Sequence, residues 1–118
     1  MANELNLRAT LSFSKGGAKV NRAESISVTV TGDAFTHEVQ SVGTSEETLD
    51  QGSDLGKPGW VLIINHDGTN YVEVGSTTGV YNIKLKAGEF ALYRHNSGTL
   101  YAKSNTAACL VEYIIIEN

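Results

Sequence analysis

The chain has 118 residues, 41% of them apolar, and a formal net charge of −4 at pH 7, which is the composition of one ordinary globular domain over residues 1–118. No Lys/Arg cluster forms the basic stripe that a phosphate backbone needs, so nucleic acid is not an expected partner. Cys109 is the only cysteine, which excludes an intrachain disulfide, and no apolar run has membrane-spanning length or precedes a cleavage site. A soluble chain made in the cytosol is expected, with no membrane partner. If it ends up outside the cell, another route is expected, such as travel inside or on a particle.

Leu5 to Phe13 alternates cleanly, with Leu5, Leu7, Ala9, Leu11 and Phe13 on one side, and reads as a long strand with one buried face. Lys15-Gly16-Gly17 breaks it. Ser25 to Thr31 alternates again, with Ile26, Val28 and Val30 inward. Thr36 to Val42 is a weaker third strand. Thr44 to Gly59 is polar and acidic, holds the only proline (Pro58), and reads as a long connection with a short strand near Thr48-Leu49. It is the one stretch that looks like an exposed, adaptable arm.

Trp60 to Gly75 organises the rest. Two β-rich runs flank Asp67-Gly68, a dipeptide suited to the positive φ angles of a type I′ turn, so a tight hairpin is expected. That register places Val61, Ile63, Val72 and Val74 on one face and Leu62, Ile64, Tyr71 and Glu73 on the other. The second face is too apolar to be wet and too polar at Glu73 to be plain core. The last strand, Cys109 to Glu117, is also apolar on both faces, with Ile114 and Ile116 beside Glu112. Such strands are central or covered by something else, and a neighbouring subunit is a natural cover. Leu62, Ile64, Tyr71, Ile114 and Ile116 are therefore the expected subunit interface. Between these runs, Val80 to Lys84, Glu89 to Arg94 and Thr99 to Lys103 read as short strands, with Gly88 at a positive φ. No segment has helical periodicity, and about eight or nine strands read as an antiparallel β-sandwich or barrel.

Catalytic chemistry has little to stand on. His37, His66 and His95 lack the His-x-His or His-x-x-x-His spacing of a metal site and read as solvated loop histidines. There is no Gly-x-Ser-x-Gly elbow. Cys109 sits in an apolar strand, where a thiolate is disfavoured. The carboxylates Glu46-Glu47 are neighbours in a loop, which is not a glycosidase pair. Gly16-Gly17 opens no helix and so makes no phosphate loop. Trp60, Tyr71, Tyr81, Tyr93, Tyr101 and Tyr113 fall mostly inside strands, where core or interface is the default reading over a sugar platform. No catalytic, cofactor-binding or metal-ligating residue is expected, and no cofactor.

Several stretches carry a resemblance in their order along the chain. They are Gln40-Ser41-Val42-Gly43-Thr44, Pro58-Gly59-Trp60, Asn70 to Gly75, Leu85-Lys86-Ala87-Gly88-Glu89-Phe90-Ala91-Leu92, Leu100-Tyr101-Ala102-Lys103 and Val111 to Ile115. Together with the alternating first strand, this order resembles small virion proteins of tailed bacteriophages. Those are jelly-roll-like β-sandwiches that serve as capsid decoration (cement) proteins or minor head and tail components. The resemblance implies a viral structural protein, located in the virion. It would form a homo-oligomer, most simply a trimer, partnered by the major capsid protein or other virion proteins. It hands over no catalytic residue. A tail or host-surface module for glycans is the alternative. A second resemblance, to cupins, rests on Lys86-Ala87-Gly88-Glu89 and the many short strands, but the cupin His-x-His is missing, and a cupin-like enzyme is a distant third.

Overall fold

The structure is a computed structural model that describes residues 3–118. It is all-β and antiparallel, with ten strands among the described residues. Within the 1–118 range expected as one domain, the chain divides into two compact units, Met1–Thr31 and Gly32–Asn118.

The first unit is a ribbon of two strands, β1 (Leu5–Lys15) and β2 (Ala18–Val28), paired without a break from Leu5 opposite Val28 to Lys15 opposite Ala18. Gly16 and Gly17 form the turn with φ of 59° and 88°. Positive φ at both central residues is the type I′ requirement, met here by the absence of Cβ. One side of the ribbon pairs Leu5 with Val28, Leu7 with Ile26 and Phe13 with Val20. The middle of that side holds Arg22 and Glu24, ion-paired at 2.9 Å. The expected buried face of the first strand is not buried: Leu11 and Phe13 are 59% and 51% exposed. Two strands alone have no second layer to bury against.

The second unit is a sandwich of eight strands. One sheet holds β3 (Phe35–Val42), β10 (Cys109–Glu117), β5 (Pro58–Asn65) and β8 (Phe90–Arg94), in that order. The other holds β4 (Glu47–Thr48), β9 (Tyr101–Ser104), β6 (Val72–Gly75) and β7 (Ile83–Leu85). The chain changes sheet at every connection except β6 to β7, which is the double-sheet jelly roll. Alternation within each strand sends one set of side chains inward. Val61, Ile63, Val111, Tyr113 and Ile115 from the first sheet meet Val72, Val74, Leu85 and Ala102 from the second. Cys109 is wholly buried among them, as its alternating strand suggested.

Two expectations fail in this unit. Thr44 to Gly59 is not a free arm, because Leu49 and Leu55 are buried in the core. The Leu49 N–H donates to the Leu100 carbonyl, and the Tyr113 hydroxyl donates to the Asp50 carbonyl at 2.6 Å. The exposed element is the β1–β2 ribbon instead.

The second failure is the Asp67-Gly68 hairpin. β5 and β6 do not pair: β5 lies between β10 and β8, and β6 between β9 and β7. Neither Asp67 nor Gly68 has positive φ, so no type I′ turn exists there. The Asp67 carboxylate instead accepts from the Thr69 and Asn70 N–H groups, at 2.9 and 2.6 Å, and opens the bend into a corner between sheets. Buried Asn65 pins that corner. Its Nδ2 donates to the carbonyls of Asn70, Leu85 and Lys86, and its Oδ1 accepts from the Asp67 N–H. Val61, Ile63, Val72 and Val74 still share a core, but they face one another across it. The expected turn at Lys86–Glu89 is present, with Gly88 at φ 79°.

At the chain's end, the Glu117 carboxylate accepts from the backbone N–H groups of Gly56 (2.6 Å), Ala34 (3.2 Å) and Asp33 (3.0 Å). The Gly56 and Ala34 bonds, with a smaller share from Asp33, hold its pKa below the ordinary 4.5 against the opposing effect of burial. A depressed carboxylate pKa stabilises the fold above its unfolded value, and that contribution disappears as pH falls through the folded value. Glu117→Gln should therefore melt below the wild type near neutral pH, and the gap should narrow below about pH 4. An equal gap at both pH values would show that the carboxylate charge is not the source.

Candidate functional site

The outer face of the β3-β10-β5-β8 sheet is the feature that the fold leaves unused. Its register lines up two rows across all four strands. One is Val39, Glu112, Ile64 and Phe90, and the other is His37, Ile114, Leu62 and Leu92. Phe35 and Ile116 begin a third row. Phe35, Phe90, Val39 and Leu110 are half to two-thirds exposed, and Leu62, Ile64, Ile114 and Ile116 partly so. Four strands at about 4.8 Å spacing and three rows make a patch on the order of 300 Å², interrupted by His37 and Glu112, which is the size of the largest such patch on a typical soluble monomer.

Four of the five sequence-predicted interface residues, Leu62, Ile64, Ile114 and Ile116, come together on this face. Tyr71 does not join them. The corner at Asn65 carries it to the other sheet, where the Lys84 Nζ lies 4.1 Å from its ring centroid. Glu73, expected beside Ile64, goes with it and pairs across the strands with Lys84.

One carboxylate interrupts the apolar face. Glu112 receives a hydrogen bond on each oxygen: His37 Nε2–H donates to Oε2 and His66 Nε2–H to Oε1, both at 2.7 Å. The His37 bond, then the His66 bond, hold the Glu112 pKa below the ordinary carboxylate value. A carboxylate that already spends its lone pairs on donors loses less when water is removed. The two histidines thus make a face with a central acid fit to be covered. Both are about half exposed, 48% and 46%, as expected of solvated histidines, but each is also tied to Glu112, which the sequence did not show. His95 departs from that expectation. It is 5% exposed, its Nε2–H donates to the Thr99 carbonyl at 2.8 Å, and its Nδ1 accepts from the Tyr93 hydroxyl. Burial pushes the Tyr93 hydroxyl up to about 12.

The arrangement offers little for catalysis. Both Nε2 atoms point at the carboxylate, and the Cys109 thiol points instead toward the Tyr71 carbonyl, 3.7 Å away. Among the described residues, no three His, Cys, Asp or Glu groups are placed to hold a metal ion. The aromatic side chains are divided among three places: Tyr113 in the core, Trp60 beside Arg94 on the same outer face as Phe35 and Phe90, and Tyr71 and Tyr81 against Lys84 and Lys103, which flank Glu73 on the other sheet.

The Glu112 cluster was not legible in the sequence. His37, His66 and Glu112 are far apart along the chain, and only the pairing of β10 with both β3 and β5 brings them together. Parity was the one usable signal, because His37 alternates with Phe35 and Val39 as Glu112 does with Ile114. Compared with family models, with curated proteins and with solved structures, the chain matches none of them.

Proposed function

We propose that this chain is an accessory structural protein of a tailed-bacteriophage virion. It acts as a capsid decoration protein that self-associates, most simply as a trimer, and adds to the outside of the shell. The reading involves no catalytic step and no cofactor. The observation that carries it is the uncovered apolar face of the β3-β10-β5-β8 sheet, with its one carboxylate already hydrogen-bonded. A face of this kind is suited to a permanent partner and not to a small substrate. The jelly-roll topology agrees with the expected architecture of such virion proteins. The mechanism is linkage: a protein that binds only the assembled shell shifts the equilibrium toward it, by about 2.7 kcal/mol for a site filled at 100 times its Kd.

The tail or glycan-binding alternative has less support, because the aromatic residues are split between two sheet faces and the core, and Tyr71 and Tyr81 already lie against Lys84 and Lys103. The cupin-like enzyme has less again, without the His-x-His. Images of particles assembled with and without the protein test the proposal. Regular extra density on the shell exterior, with greater resistance of the particle to heat, is the expected result. Density at the tail alone would favour the alternative, and no added density would end the virion reading.

A further inference from the structure

We propose that the apolar face of the β1–β2 ribbon of one copy covers the apolar outer face of the β3-β10-β5-β8 sheet of a neighbouring copy. The inference rests on the self-association reading above and names the surface that fills the interface.

Both halves of such a contact are present on the chain and exposed. On the ribbon, Leu11, Phe13, Val20 and Ile26 are each about half exposed, and on the sheet Phe35 and Phe90 about two-thirds. A two-stranded ribbon is marginal in water by itself, so it gains most from a second layer. The dimensions agree. Eleven residues per strand make a ribbon roughly 35 Å long and 10 Å wide, and the eight or nine residues of β3 and β10 make a sheet roughly 30 Å long. Each copy gives one ribbon and receives one. Each such contact buries on the order of 700 Å² counting both sides, and a copy that gives one ribbon and receives one takes part in two, so that closure of the ring and not any single contact holds the assembly.

Charge selects this pairing over the others. In residues 1–31, Arg8, Lys15, Lys19 and Arg22 stand against Glu4 and Glu24, a formal charge of +2. The whole chain carries −4, so residues 32–118 carry −6. Sheet against sheet would bring two acidic units together, and ribbon against ribbon two basic ones. Ribbon on sheet joins units of opposite net charge, and on the faces themselves it brings Lys15, beside the ion-paired Arg22 and Glu24, to a face that carries Glu112; like charges are what specific interfaces avoid.

The test places a photoreactive benzoylphenylalanine at position 13 of the full chain. Isotope-labelled and unlabelled copies are mixed, irradiated, and the cross-links mapped by mass spectrometry. Cross-links between differently labelled copies, from position 13 to residues 35–39, 62–64, 90–92 or 110–116, are expected. Cross-links from ribbon to ribbon, or only within one copy, would overturn the inference while leaving self-association standing. A single-chain mass by light scattering would remove the self-association reading itself, and this inference with it. As a second readout, Leu11→Glu with Phe13→Glu should reduce the oligomer to single chains at least tenfold more readily on dilution. The melting of the sandwich should be unchanged, since neither residue belongs to its core. Retention of the wild-type oligomer in that variant would also overturn it.

Discussion

Asn65→Asp should take a large part of the sandwich's stability. Asn65 is fully buried, and three backbone carbonyls take hydrogen bonds from its amide nitrogen: Asn70 and Leu85 at 3.0 Å and Lys86 at 3.2 Å. An aspartate offers no N–H to any of them. It would aim a second oxygen at three oxygens and bury an unpaired charge. Losing the donors and burying the charge together cost about 3–5 kcal/mol, with the charge relieved by protonation. Domains of this size have only about 5–15 kcal/mol in hand, so the urea midpoint should fall by at least about a fifth at neutral pH, and to near zero where the wild type holds about 5 kcal/mol. The introduced carboxyl would have a raised folded pKa, so stability should partly return as pH falls through that value. Asn65→Ala should cost less, because it removes the donor without adding a charge. An unchanged midpoint for the aspartate variant would mean that the corner is not held by this side chain.

Phe90→Glu is expected to have its large effect on assembly and almost none on the fold. Phe90 lies on edge strand β8, 66% exposed, in the row shared with Ile64 and Glu112. In a free chain a substitution there stays within about 0.5 kcal/mol. Inside a subunit contact it leaves an unpaired carboxylate in apolar surroundings, which costs several kcal/mol, or about two to three orders of magnitude in Kd. The mass by light scattering should fall to one chain while circular dichroism and the melting curve stay as in the wild type. Ile64→Glu should dissociate the protein too, but it is a less clean test. Ile64 is only partly exposed and sits directly opposite Glu112, so charge repulsion within the sheet adds to the effect. A Phe90→Glu chain that keeps its wild-type mass would place this edge of the sheet outside any interface.

Alternation was the legible signal in the sequence for which residues point the same way, but not for what covers them: Leu11 and Phe13 of β1 stay exposed. It placed Val61, Ile63, Val72, Val74, Cys109 and Val111 on one face of their strands, and Leu62 with Ile64 and Ile114 with Ile116 on the other, which the pairing of β5 with β10 then joins. Pairing was not legible, because it depends on residues far away. Asp67-Gly68 satisfies a hairpin by composition, but buried Asn65 and the Asp67 carboxylate bend the chain into the other sheet. Gly16-Gly17 was read as a break, although two adjacent glycines between long alternating runs carry the same turn chemistry. In the polar stretch from Thr44 to Gly59, Leu49 and Leu55 were the signal against a free arm, since isolated leucines in such a segment usually mark where it returns to the core. The Glu112 cluster needed the register of three strands at once, which no local pattern encodes.

The central claim is that the outer face of the β3-β10-β5-β8 sheet is buried between copies. The mass of the wild-type protein at micromolar concentration, measured by light scattering coupled to size exclusion, tests it most directly. The account predicts a discrete closed oligomer with the mass of a whole number of chains, three in the simplest case, that breaks into single folded chains with Phe90→Glu. A wild-type protein that runs as one chain across that range, with Phe35, Phe90 and Val39 open to water, would contradict it.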